Sequence, residues 1–506
     1  MKKTRRLWFV AAAILLALLL LSYVLFFNKP SLPLQAPPPD SVLLEAARSL
    51  DTIEIEAVFH PEDRTLSLHQ RLYLTHSGEA ARNDIVLRAY PNAFQQQDTS
   101  PVAIEEWYDT AYPEGFSMGA LSIISAEGGL AGEKKQPLSR RYLDAAKTTL
   151  YIPLPFSWEP QSTLTLDISY TLHLPKAAGR YGVSQGIWTL GNAFLIPAPY
   201  ENNAYRTDFY EPLGDPLPGD FTNYTLRLSV PEEYVCAASA PGITSSCAKE
   251  GGNILYTFQG YALREFALAL SENYHIAENL EGNVLIRSYA TDKETARKLL
   301  TYARQAISCF SSRYGAYPYP SFSLAQAHLP IEGVSYPGLV LIADKELTKP
   351  SLEWLAAELT AQQWWFAAVG SDPIYQPWQH EALSEYSLLD YIETYYGIAQ
   401  RESLTFSRIE TALRITIPRG VTPGSPLSYF ENHSEYLQMV RHRGAALFCA
   451  LREALGDRLD DFLRAYYDKY RFSKVSREDM ETLLKSFSKE DWSPLFVDFL
   501  DTYPVQ

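Results

Sequence analysis

Apolar and polar residues alternate along much of the chain between residue 51 and about residue 275. In residues 163–174, TLTLDISYTLHL, every second residue is apolar, and residues 224–230 repeat this period before Pro231. A period of two indicates a strand with one buried face, and clusters of Gly, Pro, Asn and Asp separate such runs here. The pattern predicts an N-terminal antiparallel β domain over residues 51–275.

Helical spacing replaces this alternation in the second half of the chain. The first predicted helix reaches about Ser312, and its apolar face consists of Leu299, Ala303, Ala306 and Phe310. Strand-like runs follow it, and further helical patterns occupy residues 351–370, residues 377–397 and much of the tail. We expect a domain over residues 276–506 that begins as mixed α/β and becomes mainly helical.

An uncharged and strongly apolar run fills residues 7–27, after a basic flank over residues 1–6. A helix of this length spans a bilayer core of about 30 Å, and the basic flank predicts a cytoplasmic N-terminus. A cleaved signal peptide would have a shorter apolar core and a small-residue cleavage site. We therefore predict a single-pass transmembrane anchor, a proline-rich spacer over residues 28–50 and an extracytoplasmic body at the cell membrane.

The composition is that of a large globular chain. Its 506 residues are 46% hydrophobic and 13% aromatic, enough for about two or three domains with cores of their own. The net charge is −15, and no basic cluster follows the N-terminal flank. These features exclude nucleic acid as a partner.

Four cysteines allow at most two disulfides, and their spacing supports only one. Cys236 and Cys247 flank a Pro-Gly turn between two short predicted strands, which makes a cross-strand bridge feasible. Cys309 and Cys449 lie on apolar helix faces and are predicted to be buried thiols.

The most informative stretch is residues 358–386, which begins ELTAQQWW and ends QHEALSEY. It resembles the zinc-binding helix pair of the membrane alanyl aminopeptidase family of gluzincins, where H-E-x-x-H precedes W-W-like residues and a glutamate follows on the next helix. Trp364 and Trp365 fix the register, and DIVLRAYPNAF over residues 84–94 is similar to a signature of the family's N-terminal domain. The resemblance covers roughly residues 50–500 and implies a saddle-like β domain followed by a thermolysin-like domain.

The resemblance also assigns positions to the family's site residues. The zinc-ligand positions are Glu358, Gln362 and Glu381, and the general-base position is Leu359. Ser335 stands where the family has the glutamate that anchors the substrate amine, and Arg441 stands where it has the transition-state tyrosine.

Zinc-dependent peptide hydrolysis requires protein ligands for the zinc ion and a general base that accepts a proton from the zinc-bound water. Leucine cannot accept a proton, and oxygen donors favour hard ions such as calcium or magnesium over zinc. The resemblance thus implies that no catalytic residue, no zinc and no other cofactor is expected here. His328 and His380 are further side chains that could approach the cleft, although His380 diverges by about 100° from the neighbouring glutamate on a helix.

Without zinc, Glu358 and Glu381 would face each other in a semi-buried cleft, where unpaired carboxylates are costly. Arg441 could bridge both carboxylates and replace the charge of the metal. We predict an ion pair of Arg441 with Glu381 or Glu358; an exposed arginine without a role is the alternative.

Three functions fit these observations. The first is a membrane-anchored, aminopeptidase-like pseudopeptidase that binds a peptide or protein in its cleft without hydrolysing it. The second is a divergent metallo-aminopeptidase with unconventional metal ligands, and the third is a structural subunit of a membrane complex. We favour the first, so the chain is not expected to be an enzyme, although the family's activity would be that of a zinc aminopeptidase.

Overall fold

The first part of the chain folds into β-sheets. The structure is a computed structural model that describes residues 34–246, 252–415 and 419–502. Within the described residues, eight strands form the largest sheet. In sheet order these strands are Gly242–Ser246, Asn253–Leu263, Thr222–Pro231, Thr52–His60, Thr65–Thr75, Thr163–His173, Ala120–Leu130 and Gln136–Pro137.

The predicted alternation is confirmed in strand Thr163–His173, where the apolar residues are buried and the residues between them are mostly less so. Its neighbours Thr65–Thr75 and Ala120–Leu130 pair with it in antiparallel fashion. The sheet departs from the antiparallel prediction in one place, because Thr52–His60 runs parallel to Thr222–Pro231. A parallel pair requires a long crossover, and the strands between these two in sequence provide it.

Smaller sheets complete the first part. Two four-stranded sheets and one short hairpin are present among its described residues. In order, the strands of the first sheet are Val235–Ala238, Leu268–Ser271, Ile187–Leu190 and Tyr181–Ser184. The strands of the second sheet are Ile196–Pro197, Arg82–Arg88, Thr149–Trp158 and Arg141–Tyr142. The hairpin pairs Tyr200–Glu201 with Ala204–Tyr205.

The second part begins with a mixed sheet and continues as helices. The strands of that sheet, in order, are His275–Glu281, Val284–Ala290, Ser321–Ala327, Leu339–Ala343 and Gly333–Tyr336. The principal α-helices are Lys293–Tyr314, Leu352–Gln362, Trp378–Tyr396, Ile398–Leu404, Gly444–Leu455, Arg458–Tyr470 and Arg477–Ser488. Three π-helical segments, Gln363–Ala368, Thr405–Glu410 and Leu437–Arg443, adjoin these helices. This order of sheets and helices agrees with the predicted fold class.

Local sequence explains where the longest of these helices begins and ends. The Asp292 side chain accepts hydrogen bonds from the backbone N–H groups of Glu294 and Thr295, which caps helix Lys293–Tyr314. The helix stops at Gly315, whose φ of 123° suits glycine. The four apolar residues predicted for its inner face are all buried.

The structure corrects the membrane prediction. Every helix of residues 34–246, 252–415 and 419–502 is too short or too polar to cross a bilayer. The longest of them, Lys293–Tyr314, has a low mean apolarity and carries charged residues along its exposed side. The predicted anchor, residues 7–27, lies outside the described residues. The predictions of a transmembrane anchor, of the membrane as a partner and of a cell-membrane location are therefore not supported.

The predicted spacer also differs from the structure at its end. Residues Ser41–Ala47 form a helix capped by the Asp40 side chain. This helix buries Leu43, and its last carbonyl, on Ala47, accepts a hydrogen bond of 2.8 Å from Asn223 Nδ2. It packs on the β part because the apolar residues of SVLLEAA need a surface that covers them.

The disulfide stays a prediction. Among the described residues Cys236 is a buried free thiol, and its predicted partner Cys247 lies outside them. Cys309 is a buried free thiol as well, whereas Cys449 is a free thiol that is only half-buried.

Candidate functional site

Two helices carry the residues that the resemblance assigned to the family's zinc-ligand positions. The first site helix, Leu352–Gln362, carries Glu358 and Gln362, which lie one turn apart and therefore on the same side. The second site helix, Trp378–Tyr396, carries Glu381. All three side chains are buried, and Gln362 Nε2 lies 3.5 Å from Glu381 Oε2. The three residues thus converge as the family frame implies, but they bring two carboxylates and an amide.

Arg441 lies between the two carboxylates. Its Nη1 atom is 2.5 Å from Glu358 Oε1, and its Nε atom is 2.7 Å from Glu381 Oε2. Burial alone would lower the pKa of the guanidinium, but the two carboxylates raise it well above the usual value. The positive charge of Arg441 is therefore permanent and is shared by the two glutamates.

The two glutamates respond differently to this shared cation. Burial would raise the pKa of Glu381, but the charge of Arg441, which also donates a hydrogen bond to this carboxylate, brings it below the usual range. Burial raises the pKa of Glu358, and the nearby carboxylate of Glu385 raises it further against the pull of Arg441. Glu381 is therefore the firmly ionised member of the pair.

A second arginine extends the cluster. Arg408 Nη1 lies 2.9 Å from Glu385 Oε2 and 3.4 Å from Glu358 Oε2. Glu385 follows Glu381 by one helical turn and is completely buried. The arginines and carboxylates thus alternate, and each buried carboxylate has a cation in contact, as the cost of burying a charge requires. We call Glu358, Glu381, Glu385, Arg408 and Arg441 the arginine–carboxylate cluster.

The positions of the base and the amine anchor hold no titrating side chain. Leu359 is buried, and a Cβ atom added at Gly333 would lie 2.5 Å from Leu359 Cδ1, so the leucine packs directly on that strand. Ser335 is also buried, and its Oγ atom accepts a hydrogen bond of 2.8 Å from Gln363 Nε2. Neither residue can neutralise an ammonium group or take a proton from water.

The cavity at this site is small. It holds about 30 Å³ of space for water, and Leu359, Ser335 and Arg441 are among its lining residues. Such a volume accommodates a few water molecules at most and is far below the size of an amino-acid side chain with its backbone. His433 also lines the cavity and lies 3.0 Å from Glu332 Oε2 through its Nε2 atom. The cleft is therefore largely filled by the protein's own side chains.

A different group of potential ligands adjoins the cluster. Asp215, His380 and Glu381 are buried, and one ligand atom from each lies within 4.8 Å of the others. His380 Nε2 is 3.5 Å from Asp215 Oδ2 and 3.9 Å from Glu381 Oε1. Burial would raise the pKa of Asp215, but the charge of Arg180, whose Nη1 atom is 2.8 Å away, holds it well below the usual range. His328 takes no part, because it faces Asp344 at 3.2 Å.

Sequence reasoning found some of these residues and missed others. The register of the tryptophan pair placed Glu358, Gln362 and Glu381, and the structure brings Arg441 into contact with both glutamates. Glu385 was available from its spacing of one helical turn after Glu381. Asp215, Arg180 and Arg408 gave no signal, because they reach the site through tertiary packing rather than through a local pattern.

Comparison with known proteins identifies the fold. The M1 zinc metallopeptidase from Deinococcus radiodurans superposes with a TM-score of 0.62 at 17% identity, over 91% of this chain and 96% of that chain. A mutant of that enzyme bound to a Tyr-Ser-Ala substrate gives a TM-score of 0.61 at 16% identity, over 90% and 95%. The fold is that of the M1 zinc metallopeptidases. At this identity the likeness carries the fold alone.

Relatives found by sequence match only part of the chain. Human aminopeptidase RNPEPL1 is 27% identical over 212 residues, which are 38% of this chain and 28% of that protein. The mouse protein of the same name gives the same figures. No protein-family model matches the chain. The matched region spans well under a third of these curated relatives, so their activity is not transferred by similarity alone.

The zinc of the M1 enzymes does not fit the residues found at its position in this chain. Zinc requires ligands with free lone pairs and an open coordination position. Glu358 and Glu381 already face a guanidinium at 2.5 and 2.7 Å, and a zinc ion would have to displace it. The amide of Gln362 is a weak ligand for zinc.

Proposed function

We propose that this chain is a non-catalytic protein with the M1 metallopeptidase fold, which acts by binding another protein or a peptide. The observation that carries the proposal is the contact of Arg441 with both Glu358 and Glu381. A guanidinium supplies the positive charge at this position but cannot hold or polarise a water molecule as a metal ion does. The chain thus keeps the M1 fold, but an arginine occupies the place between Glu358 and Glu381 where a hydrolytic enzyme would need a metal ion.

The positions around the cluster support the same conclusion. A zinc peptidase needs a carboxylate beside the first ligand, and Leu359 is a buried leucine. An aminopeptidase needs an anion for the substrate amine, and the Ser335 hydroxyl is held by Gln363 instead. Two independent functions, proton transfer and amine recognition, are missing together.

The small cavity favours a protein partner on the outer surface over a peptide in the cleft. About 30 Å³ admits no amino-acid residue unless the cleft opens. The D. radiodurans enzyme of the same fold has been seen with a Tyr-Ser-Ala substrate. A peptide of that length is far larger than the cavity of this chain.

The test is an aminopeptidase assay of the purified full chain with fluorogenic aminoacyl substrates, with zinc supplied. We expect no hydrolysis above the buffer rate, with or without a chelator. Hydrolysis that a chelator abolishes, and that Glu381→Gln abolishes as well, would contradict the proposal. A chelator-insensitive rate that Glu381→Gln leaves unchanged would come from a contaminant.

One observation favours a second candidate, a divergent metallo-aminopeptidase. Asp215, His380 and Glu381 offer a nitrogen and two oxygens in a buried group beside the cavity. The same assay decides between the two functions, because this candidate requires hydrolysis that depends on added metal and on His380.

A further inference from the structure

The Asp215–His380–Glu381 group contains a buried polar atom that the rest of the described protein leaves unsatisfied. His380 is fully buried, and its Nε2 atom makes no hydrogen bond within the described residues. The other ring nitrogen, Nδ1, lies 3.3 Å from Ser371 Oγ. With the ring proton on Nδ1, Nε2 carries a lone pair and lies 3.5 Å from Asp215 Oδ2 and 3.9 Å from Glu381 Oε1. Three electron-rich atoms then face one another, and such an arrangement calls for a cation or a proton between them.

The spacing of these atoms matches a metal site. Zinc and similar ions hold nitrogen and oxygen ligands at about 2.1 Å, which places the ligands of a tetrahedral site about 3.4 Å from each other. The two distances from His380 Nε2 are 3.5 and 3.9 Å. All three ligand atoms lie within 4.8 Å of one another, so direct coordination requires the side chains to move closer together.

Each carboxylate has one oxygen held by arginine and the other turned to His380. Asp215 Oδ1 contacts Arg180 at 2.8 Å, while Oδ2 is the atom near His380. Glu381 Oε2 contacts Arg441, while Oε1 faces His380 and accepts a hydrogen bond of 2.9 Å from the Tyr436 hydroxyl. Metal ligands are oriented by such outer contacts, which fix the free atom of each ligand in place.

We propose that Asp215, His380 and Glu381 form a binding site for one divalent cation, displaced from the family's zinc position. One imidazole and two carboxylates suit an ion such as Zn²⁺ or Mn²⁺. Asp215 and Glu381 also line the cavity, which has space for a water as a further ligand.

A cation at this site would link the first part of the chain to the second site helix. Asp215 follows the β hairpin of the first part of the chain, whereas His380 and Glu381 lie near the start of the second site helix. A cation held by all three would fasten these segments to each other. The site does not depend on the proposed function, because binding and hydrolysis are measured separately.

The experiment measures uptake of Zn²⁺ and Mn²⁺ by the metal-stripped full chain, by calorimetric titration and by elemental analysis after dialysis. We expect about one high-affinity equivalent, and His380→Ala and Asp215→Asn should each weaken binding by at least about 100-fold. His328→Ala is the matched control, since it removes a buried histidine that lies outside the group. X-ray absorption of the loaded wild-type chain should show one imidazole nitrogen and two carboxylate oxygens.

Absence of uptake by the wild-type chain would overturn the site, and so would uptake that both variants retain. The absorption spectrum needs no variant and therefore tests the site even if His380→Ala fails to fold. A spectrum with only water and surface-type ligands would overturn it as well. Binding without hydrolysis supports the site and leaves the proposed function intact, whereas metal-dependent hydrolysis would contradict the proposed function alone.

Discussion

Arg441 joins two buried carboxylates that would otherwise repel each other. Glu358 and Glu381 belong to different helices, and both are almost completely shielded from water. Removal of one partner from a buried ion pair leaves an uncompensated charge, which costs far more than the loss of a surface pair. At the scale of single residues, the arginine therefore supplies the positive charge that both buried carboxylates require.

Replacement of this charge gives the first prediction. Arg441→Met keeps much of the side-chain volume but removes the guanidinium, and we expect the free energy of unfolding to fall by about 3–5 kcal/mol. Arg419→Met is the control, because Arg419 pairs with Glu431 and Glu435 at an exposed position and should cost about 0–1 kcal/mol. Urea denaturation followed by circular dichroism measures both. Equal, small losses would show that Arg441 does not hold the cluster.

Glu265 gives a prediction about pH. Burial, with a further contribution from Asp215, raises the pKa of this carboxyl from 4.5 to about 8. Its contribution to stability is fully present below pH 4.5 and is lost as the pH rises toward 8, because over this range the unfolded state releases the proton while the buried carboxyl of the folded state keeps it. Glu265→Gln should remove this component, so that unfolding free energy declines less between pH 5 and 8 than in the wild type. Identical pH profiles of the two proteins would refute the prediction.

Residue-level prediction from the sequence depends on a motif that supplies a register. The tryptophan pair supplied the register for Glu358 and Glu381, and in the structure Arg441 contacts both of them. Asp215 lies far away in sequence, and no local pattern links it to His380. Packing of the β part on the helices brings Asp215 to His380. A local sequence pattern does not predict such a tertiary contact.

At the scale of elements, the two arginines of the cluster share an unusual backbone. Arg408 lies on the π-helical segment Thr405–Glu410, and Arg441 lies on the segment Leu437–Arg443. π-Helical turns are rare and change the direction of side chains relative to an α-helix, and they are frequent at functional sites. Such turns have no periodic signature, so the sequence did not predict this local winding.

Strands and long helices were predictable because burial imposes a period on them. The alternation of Thr163–His173 and the buried face of Lys293–Tyr314 follow directly from one-sided packing. Helix Ser41–Ala47 was not anticipated, because it is short and follows a proline-rich run. The parallel pairing of Thr52–His60 was also missed, since a period of two does not distinguish parallel from antiparallel neighbours.

The two site helices permit a test by reconstruction. Glu358→His, Leu359→Glu and Gln362→His together restore the family's ligand and base residues on the first site helix. We expect this triple variant to bind zinc at least about tenfold more weakly than the same variant with Arg441→Tyr, because the guanidinium still contacts Glu381. Zinc titration of the two proteins measures the difference.

The zinc titration of these variants requires that the Asp215–His380–Glu381 group does not bind zinc as well. Both variants would carry His380→Gln, so that the Asp215 group contributes no high-affinity zinc. The result that contradicts the role of Arg441 is equal zinc affinity with arginine and with tyrosine at position 441.

At the scale of the whole molecule, one core joins the β part to the helices. A single hydrophobic cluster contains residues from Leu43 to Leu500, and the described residues from Ala36 onward belong to one compact unit. Polar contacts also cross between the parts: Arg206 Nη1 lies 2.6 Å from Asp372 Oδ2. The two predicted domains are therefore not independent in their packing.

This continuity predicts a single cooperative unfolding transition. In scanning calorimetry of the full chain, the β part and the helical part should unfold together, because separation would expose a shared apolar core. Two resolved transitions, or a calorimetric enthalpy well above the van't Hoff value, would indicate that the parts unfold separately.

The most direct test of the account is a crystal of the full chain soaked in zinc, with data collected on both sides of the zinc absorption edge. We predict no anomalous peak among Glu358, Gln362 and Glu381, and electron density for Arg441 in contact with both glutamates. A peak at the Asp215–His380 side of Glu381 is compatible with this result. A zinc peak among the three residues, with Arg441 displaced from them, would contradict the central claim that an arginine has taken the place of the metal.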